Sequence, residues 1–225
     1  MKLKNLCAMA LIVCMISLPV LAAKKPNMRI TVGDRYVCYG LDFLQPNKAL
    51  YMLSFEIPFG NLTFGPYTIP GSGYGELGCF LGYNFKITKA VDITIATVPI
   101  IFQYEGDGLK MAFVNKGTIN FNVPLNPAIS IYYAHLPFNT EMNGFCFDLG
   151  FSKNIIGFDL TASVNYNKGM FLESGIKGLG KMIEISKTVK LSKKLSLTGT
   201  FQRWLNNPNI NENETVFLIS LLHEF

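Results

Sequence analysis

The chain has 225 residues, with 20 Lys and Arg against 15 Asp and Glu and a formal net charge of +5. Lys2 and Lys4 belong to a leader-like start, so the rest of the chain is too mildly basic to suggest a nucleic-acid partner. Cys7 and Cys14 fall in the same start, and the remaining Cys38, Cys79 and Cys146 cannot build a disulfide scaffold.

The first predicted element is that leader. A short basic region precedes an almost continuous apolar run over 5–22, and "VLAA" supplies the small residues of a cleavage site. This order describes a secretory signal peptide cut after Ala22 or Ala23. The expected organisation is a signal peptide at 1–22 and a single domain over 23–225. An uncleaved anchor stays open, because the apolar run is about long enough to span a bilayer. A lipoprotein reading at Cys14 is disfavoured by Val13, where a small residue is wanted.

Beyond the leader, alternation dominates. Successive strand residues point to opposite faces, so strict apolar–polar alternation marks a strand with two different environments. "GELGCFLGYNFK" sets Leu77, Cys79, Leu81, Tyr83 and Phe85 against Glu76, Gly78, Phe80, Gly82, Asn84 and Lys86. "GFCFDLGFS" sets Phe145, Phe147, Leu149 and Phe151 against Gly144, Cys146, Asp148, Gly150 and Ser152. "FDLTASVNY" sets Phe158, Leu160, Ala162, Val164 and Tyr166 against Asp159, Thr161, Ser163 and Asn165. The pattern predicts about twelve strands, near 28–43, 49–59, 61–69, 75–87, 91–104, 116–123, 127–135, 143–152, 157–166, 180–190, 194–204 and 215–225.

The connections alternate too. "FGN", "TKA", "VPLNP", "SKNIIG" and "LSKK" are tight, while "EGDGLKMAFVN", "NKGMFLESGIKG" and "NNPNINENE" are longer and richer in Gly, Asn and charge. Strands in even number, short turns at one end and longer loops at the other describe an all-β, transmembrane antiparallel β-barrel with both termini at the short-turn, periplasmic end. Alternation alone does not say which face is outside, and a soluble β-barrel or sandwich remains the competing architecture. The asymmetry of the connections and the chain's ending favour lipid outside and water inside.

That ending is "TVFLISLLHEF". Phe217, Ile219, Leu221 and Phe225 share one face of the last strand, with His223 among them. The chain resembles bacterial outer-membrane β-barrels. The resemblance implies that Phe217, Ile219, Leu221 and Phe225 form the signal read by the barrel-assembly machinery, where His223 departs from the usual apolar residue. More narrowly, "DRYVCYGLDF", "GELGCFLGYNF" and "LNPAISIYYAH" are similar to the TorF-like family of porin-type barrels. These resemblances imply a Gram-negative outer membrane, with lipid, lipopolysaccharide and the export and assembly machinery as partners. They also imply passive transport, and they supply no catalytic residue.

Several motif-like strings lack their context. Gly73 to Gly78 matches G-x-G-x-x-G, but a strand follows where the dinucleotide fingerprint needs a helix. Gly175 to Lys181 approaches a P-loop, yet Met182 stands where Ser or Thr should hold magnesium. "NLT" at Asn61 and "NET" at Asn213 are glycosylation sequons only in a eukaryotic secretory route. Three scattered cysteines make no zinc site. His135, at the loop end on the apolar face, is the candidate for a lipid-modifying hydrolase. Ser152 and Thr118 have the opposite parity, so no hydroxyl partner is expected, and the chain is read as not an enzyme and without cofactor.

Parity sends Glu56, Glu76, Asp148, Asp159 and Glu184 into the lumen, with Asp92 beside them. Lys86 is the one clear opposing base, joined by Arg35 if a bulge at Gly33 re-aims it. Inward Gly78, Gly82, Gly144 and Gly150 are expected to leave room for water. The leading expectation is a porin-like channel for small polar solutes with a weak cation preference. The alternative is a non-conducting structural or surface-interaction barrel, with carboxylates, Arg35, Tyr132 and Gln202 locked into a polar plug.

Overall fold

The computed structural model describes residues 25–34, 37–38, 41–42, 49–70, 74–104, 108–170, 177–205 and 213–225. The expected leader and Arg35 lie outside the described residues. In chain order the strands are β1 (Asn27–Gly33), β2 (Val37–Cys38), β3 (Leu41–Asp42), β4 (Leu50–Phe59), β5 (Leu62–Ile69), β6 (Tyr74–Lys86) and β7 (Val91–Tyr104). Then follow β8 (Lys110–Phe121), β9 (Ala128–His135), β10 (Gly144–Ile155), β11 (Phe158–Lys168), β12 (Lys177–Lys190), β13 (Leu195–Leu205) and β14 (Glu214–Glu224).

Twelve of these strands, β1 and β4 to β14, form a closed barrel in which every neighbouring pair is antiparallel. The closing seam is β1, which pairs with β14 on one side and β4 on the other along all seven of its residues. Closure satisfies the backbone without a free sheet edge, which a bilayer requires. Both ends of the described chain meet at the short-turn end, where the amide of Phe225 donates to the carbonyl of Pro26 at 3.1 Å.

The pairing fixes which face is which. Phe147, Leu149, Phe151, Val164, Ile183, Phe217 and Ile219 stand outward and exposed, Ile219 at 59%. A continuous outward band of Phe, Ile, Leu and Val suits hydrocarbon rather than water. Inside, hydroxyls pair across neighbouring strands. Thr31 meets Ser220 at 2.9 Å, Thr118 meets Ser130 at 2.9 Å and Thr188 meets Thr198 at 2.8 Å.

Two expected segments differ. The first was read as one strand over 28–43, but the barrel strand stops at Gly33 and β2 and β3 form a separate two-stranded sheet. Asp34 makes the stop: its amide donates to the carbonyl of Phe217 and its carboxylate accepts from the Phe217 amide at 2.9 Å. The sixth segment begins at Lys110, not near 116. Its first turn was read as loop because Ala112 and Val114, which face inward, are as apolar as their outward neighbours Met111 and Phe113.

Pairing also lapses twice in mid-wall. Between β4 and β5 the ladder is missing at 55–56 and 65–66, where Pro66 has no N–H to give. Between β6 and β7 it is missing at 79–80 and 98–99, beside Pro99.

The β10–β11 turn holds Ile156 at φ 52° and Gly157 at φ 78°. Two central residues at positive φ are the requirement of a type I′ hairpin, which favours Asn-Gly. A β-branched residue in this region costs about 1–2 kcal/mol. Ile156 is 93% exposed, so nothing is lost with its side chain. Ile156→Asn should therefore stabilise the refolded barrel by about 1 kcal/mol, read from urea unfolding midpoints; an unchanged or lower midpoint would contradict the turn assignment.

Candidate functional site

The lumen divides into two halves of different chemistry. In the loop-side half most inward residues are apolar and buried, with Glu76, Lys110 and Asn167 set among them. Leu50, Ile69, Tyr74, Ile100, Phe102, Ala112, Val114, Ala134, Leu136, Cys146 and Met170 pack as one cluster, joined by Met52, Val98, Tyr132 and Leu218. Rings interlock there: Phe102 lies 6.3 Å from Tyr74 and edge-on to Phe138 at 5.7 Å. This apolar layer was not legible as lumen lining, because alternation vanishes where both faces are apolar.

The turn-side half is more polar. A cavity of about 590 Å³ lies against β1, β4, β5, β6 and β7; Arg29, Glu56, Ser54, Thr63, Asn84 and Thr94 give it polar groups, while Met52, Phe55, Tyr67, Phe80 and Leu222 make much of its wall apolar. The inward glycines have a different part from the one expected. A methyl group at Gly78 would overlap the Tyr67 ring, and one at Gly82 would overlap the Phe80 ring. These glycines admit aromatic rings lying flat against the wall, rather than simply leaving space for water. Gly144 is closed off by the backbone of Lys168 to Met170, while Gly150 keeps ordinary contacts only.

Each carboxylate marked in the sequence has a distinct setting. Glu56 lines the turn-side cavity. Glu76 is 3% exposed and accepts hydrogen bonds from the hydroxyls of Tyr67 and Tyr74. Asp148 is opposite Ser130 and Asn165, and its inward neighbour Ser163 donates to it. Asp159, near the turn, accepts from Asn154 at 2.7 Å. Glu184 accepts from Gln202 Nε2 at 2.7 Å, and Gln202 in turn accepts from the Trp204 indole at 3.3 Å. Asp92 is held by Asn84 at 3.2 Å, Asn120 at 2.7 Å and Asn122 at 3.2 Å, with Lys86 opposite it across the strands.

The bases are more numerous than the sequence suggested. Strand pairing puts Arg29, Lys110 and Lys116 on the inner face as well as Lys86. The Lys116 ammonium sits 5.1 Å from the centroid of the Tyr132 ring, a cation–π contact inside the barrel. Lys110 falls in the expected loop 105–115, whereas Lys116 opens the expected strand 116–123 and has the inward parity of Thr118 there. The net negative excess of the lumen is therefore smaller than expected.

The remaining candidates are accounted for structurally. His135 Nδ1 lies 3.3 Å from the Asn143 side-chain amide, whose Oδ1 also accepts from the Leu136 amide at 2.6 Å, so His135, the last residue of β9, helps to anchor the β9–β10 connection. Thr118 and Ser152 carry inward parity on β8 and β10, away from it. Among the described residues no group of three or more His, Cys, Asp and Glu is gathered to hold a metal ion. At the chain's end Phe217 packs edge-on to Phe201 at 5.3 Å, and His223 packs edge-on to Phe225 at 4.9 Å.

A closed barrel of twelve antiparallel strands with an apolar exterior and a part-polar interior is a transmembrane β-barrel. The structure is similar to the KdgM porin (TM-score 0.59, 9% identity), covering 89% of this chain and 99% of that one. It is similar to the COG4313 outer membrane channel from Pseudomonas putida F1 (TM-score 0.60, 10% identity), covering 92% and 97%. It is also similar to LpxR from Salmonella typhimurium (TM-score 0.55, 11% identity), covering 88% and 100%. At these identities the likeness establishes the fold alone. No family model matches the chain, and no curated protein matches it. The TorF-like resemblance thus rests on its three segments.

Proposed function

We propose that this protein is an outer-membrane porin-type channel for small polar solutes, with a low conductance and a weak preference for cations. The observation that carries this reading is the turn-side cavity of about 590 Å³ inside a closed barrel, into which charged and polar side chains project. The largely apolar layer above it, with Glu76 and Lys110 beside Phe102, acts as a constriction that limits passage. Twelve strands leave an interior between that of small, side-chain-filled barrels and that of wide porins. The partners of this reading are outer-membrane lipid and lipopolysaccharide, and the export and assembly machinery during biogenesis. Single-channel recording of the refolded protein tests it. Discrete openings support a channel; a silent bilayer with correctly folded barrel overturns it.

The same apolar layer favours a second reading, a non-conducting structural or surface-interaction barrel, which the silent outcome would establish. The hydrolase reading has no support in the placement of His135, Thr118 and Ser152.

Selectivity follows from charge placement. Asp148 and Glu184 lie on inner faces, and Lys116 stands near Asp148. Field lines are focused in a narrow, low-dielectric wall, so these charges act strongly on permeating ions. The wild-type channel should prefer cations at low salt. The preference should fade as the screening length falls from about 10 Å at 0.1 M to about 3 Å at 1 M. Asp148→Asn with Glu184→Gln should move the reversal potential in a salt gradient toward zero or past it. Anion preference in the wild type, or no shift on neutralisation, would contradict the assignment.

The ending adds an assembly test. Removing Phe225 deletes one outward side chain, worth at most about 3 kcal/mol by area. If Phe217, Ile219, Leu221 and Phe225 are the recognition signal, the truncated chain should insert poorly in cells yet refold almost normally in detergent. Equal insertion with and without Phe225 would rule the signal out.

A further inference from the structure

Two charged side chains face the turn-side cavity, and neither is neutralised. Arg29 on β1 and Glu56 on β4 both line it. Among the described residues neither has a hydrogen-bond or ion-pair partner. Arg29 lies opposite Ser54 and Glu56 opposite Asn27, so the two charges are diagonal neighbours across one strand pair. Such neighbours are roughly 7–8 Å apart along the backbone, within reach of long side chains. Both side chains are nevertheless exposed to the cavity rather than joined to each other.

The rest of the wall limits the guest. Phe80 lies flat over Gly82 and presents an apolar ring, while Asn84 and Thr94 offer neutral hydrogen-bonding groups. A simple anion gains from Arg29 but is repelled by Glu56, and a simple cation meets the reverse. A neutral sugar can hydrogen-bond to both groups but neutralises neither charge. A molecule that carries both charges close together neutralises both groups at once. The cavity has room for about a dozen non-hydrogen atoms with some water, since water's share of liquid volume is about 30 Å³ per molecule.

We propose that the cavity binds a zwitterionic α-amino acid with an apolar side chain. The guanidinium of Arg29 pairs with its carboxylate, a geometry that guanidinium matches with two parallel hydrogen bonds. The carboxylate of Glu56 accepts from its ammonium group, and its side chain rests on Phe80. This site deepens the channel reading by naming a solute class, and rests on that reading for transport but not for binding.

The test is calorimetric titration of the full barrel refolded in detergent, with L-leucine as probe. Two analogues each lack one charge: 4-methylpentanoate has no ammonium, and isopentylamine has no carboxylate. Leucine should bind saturably, and each analogue at least about tenfold more weakly. Arg29→Gln should remove the advantage of leucine over isopentylamine, and Glu56→Gln its advantage over 4-methylpentanoate. Exchanging the charges, Arg29→Glu with Glu56→Arg, should restore leucine binding. Equal affinity for all three compounds, or no saturable leucine binding by the wild type, overturns the proposal, and neither result depends on a variant folding. A barrel that binds leucine but stays silent in a bilayer contradicts only the channel; one that conducts but ignores leucine contradicts only this site.

Discussion

Leu149→Arg should destabilise the barrel by about 2–4 kcal/mol, the cost of an arginine on the lipid face at the bilayer midplane. Leu149 lies in the middle of β10, exposed on the outer face and opposite Val164 and Ile129. No acidic group stands opposite it, and the guanidinium must either lie in hydrocarbon or stretch along the wall to an interface. Ser163→Arg is the control on the inner face. Ser163 stands opposite Gly150, whose missing side chain leaves space, and Asp148 is close enough to receive the new cation. Its loss should be clearly smaller. Unfolding in urea from lipid vesicles measures both. If Ser163→Arg were the more damaging, the inside and outside of the barrel would be exchanged and the membrane assignment would fail with them.

Phe102→Ala should have the second large effect, and in two directions. Phe102 is 6% exposed and interlocks with Tyr74 and Phe138 in the apolar layer. Truncating a packed core Phe costs about 3–5 kcal/mol. The same truncation removes one wall of the constriction, so unitary conductance should rise while the barrel becomes less resistant to urea. A stable variant with unchanged conductance would show that the layer is not in the permeation path. A silent wild type that begins to conduct as Phe102→Ala would identify the layer as the closure itself.

These contrasts explain what was legible. Alternation located the twelve barrel strands because most of them separate an apolar from a polar environment, as in β10 and β11. It failed at Ala112 and Val114, where the interior is itself apolar, and the strand was therefore started too late. Parity placed Glu76 and Asp148 on the inner face, yet it carried no information on their partners. The tyrosines that hold Glu76 come from β5 and β6, and only the register of the closed sheet brings Tyr67 to it. Arg29 and Glu56 are likewise distant in sequence and meet across the β1–β4 pair. The glycines misled for a related reason: a missing side chain signals space, but the sequence does not say whether water or a ring fills it.

The two proline-marked lapses enclose a single structural unit. β5 and β6 are bonded to each other at all eight positions from Leu62 to Ile69. Both outer borders of this hairpin are interrupted, at Pro66 toward β4 and at Pro99 toward β7. The hairpin is thus continuous within itself and locally unpaired at one place on each side. Tyr67, Phe80, Gly82 and Asn84 are mounted on it. These gaps are weak points of the cavity wall, and amide protons beside them should exchange with solvent deuterium ahead of those paired within the hairpin.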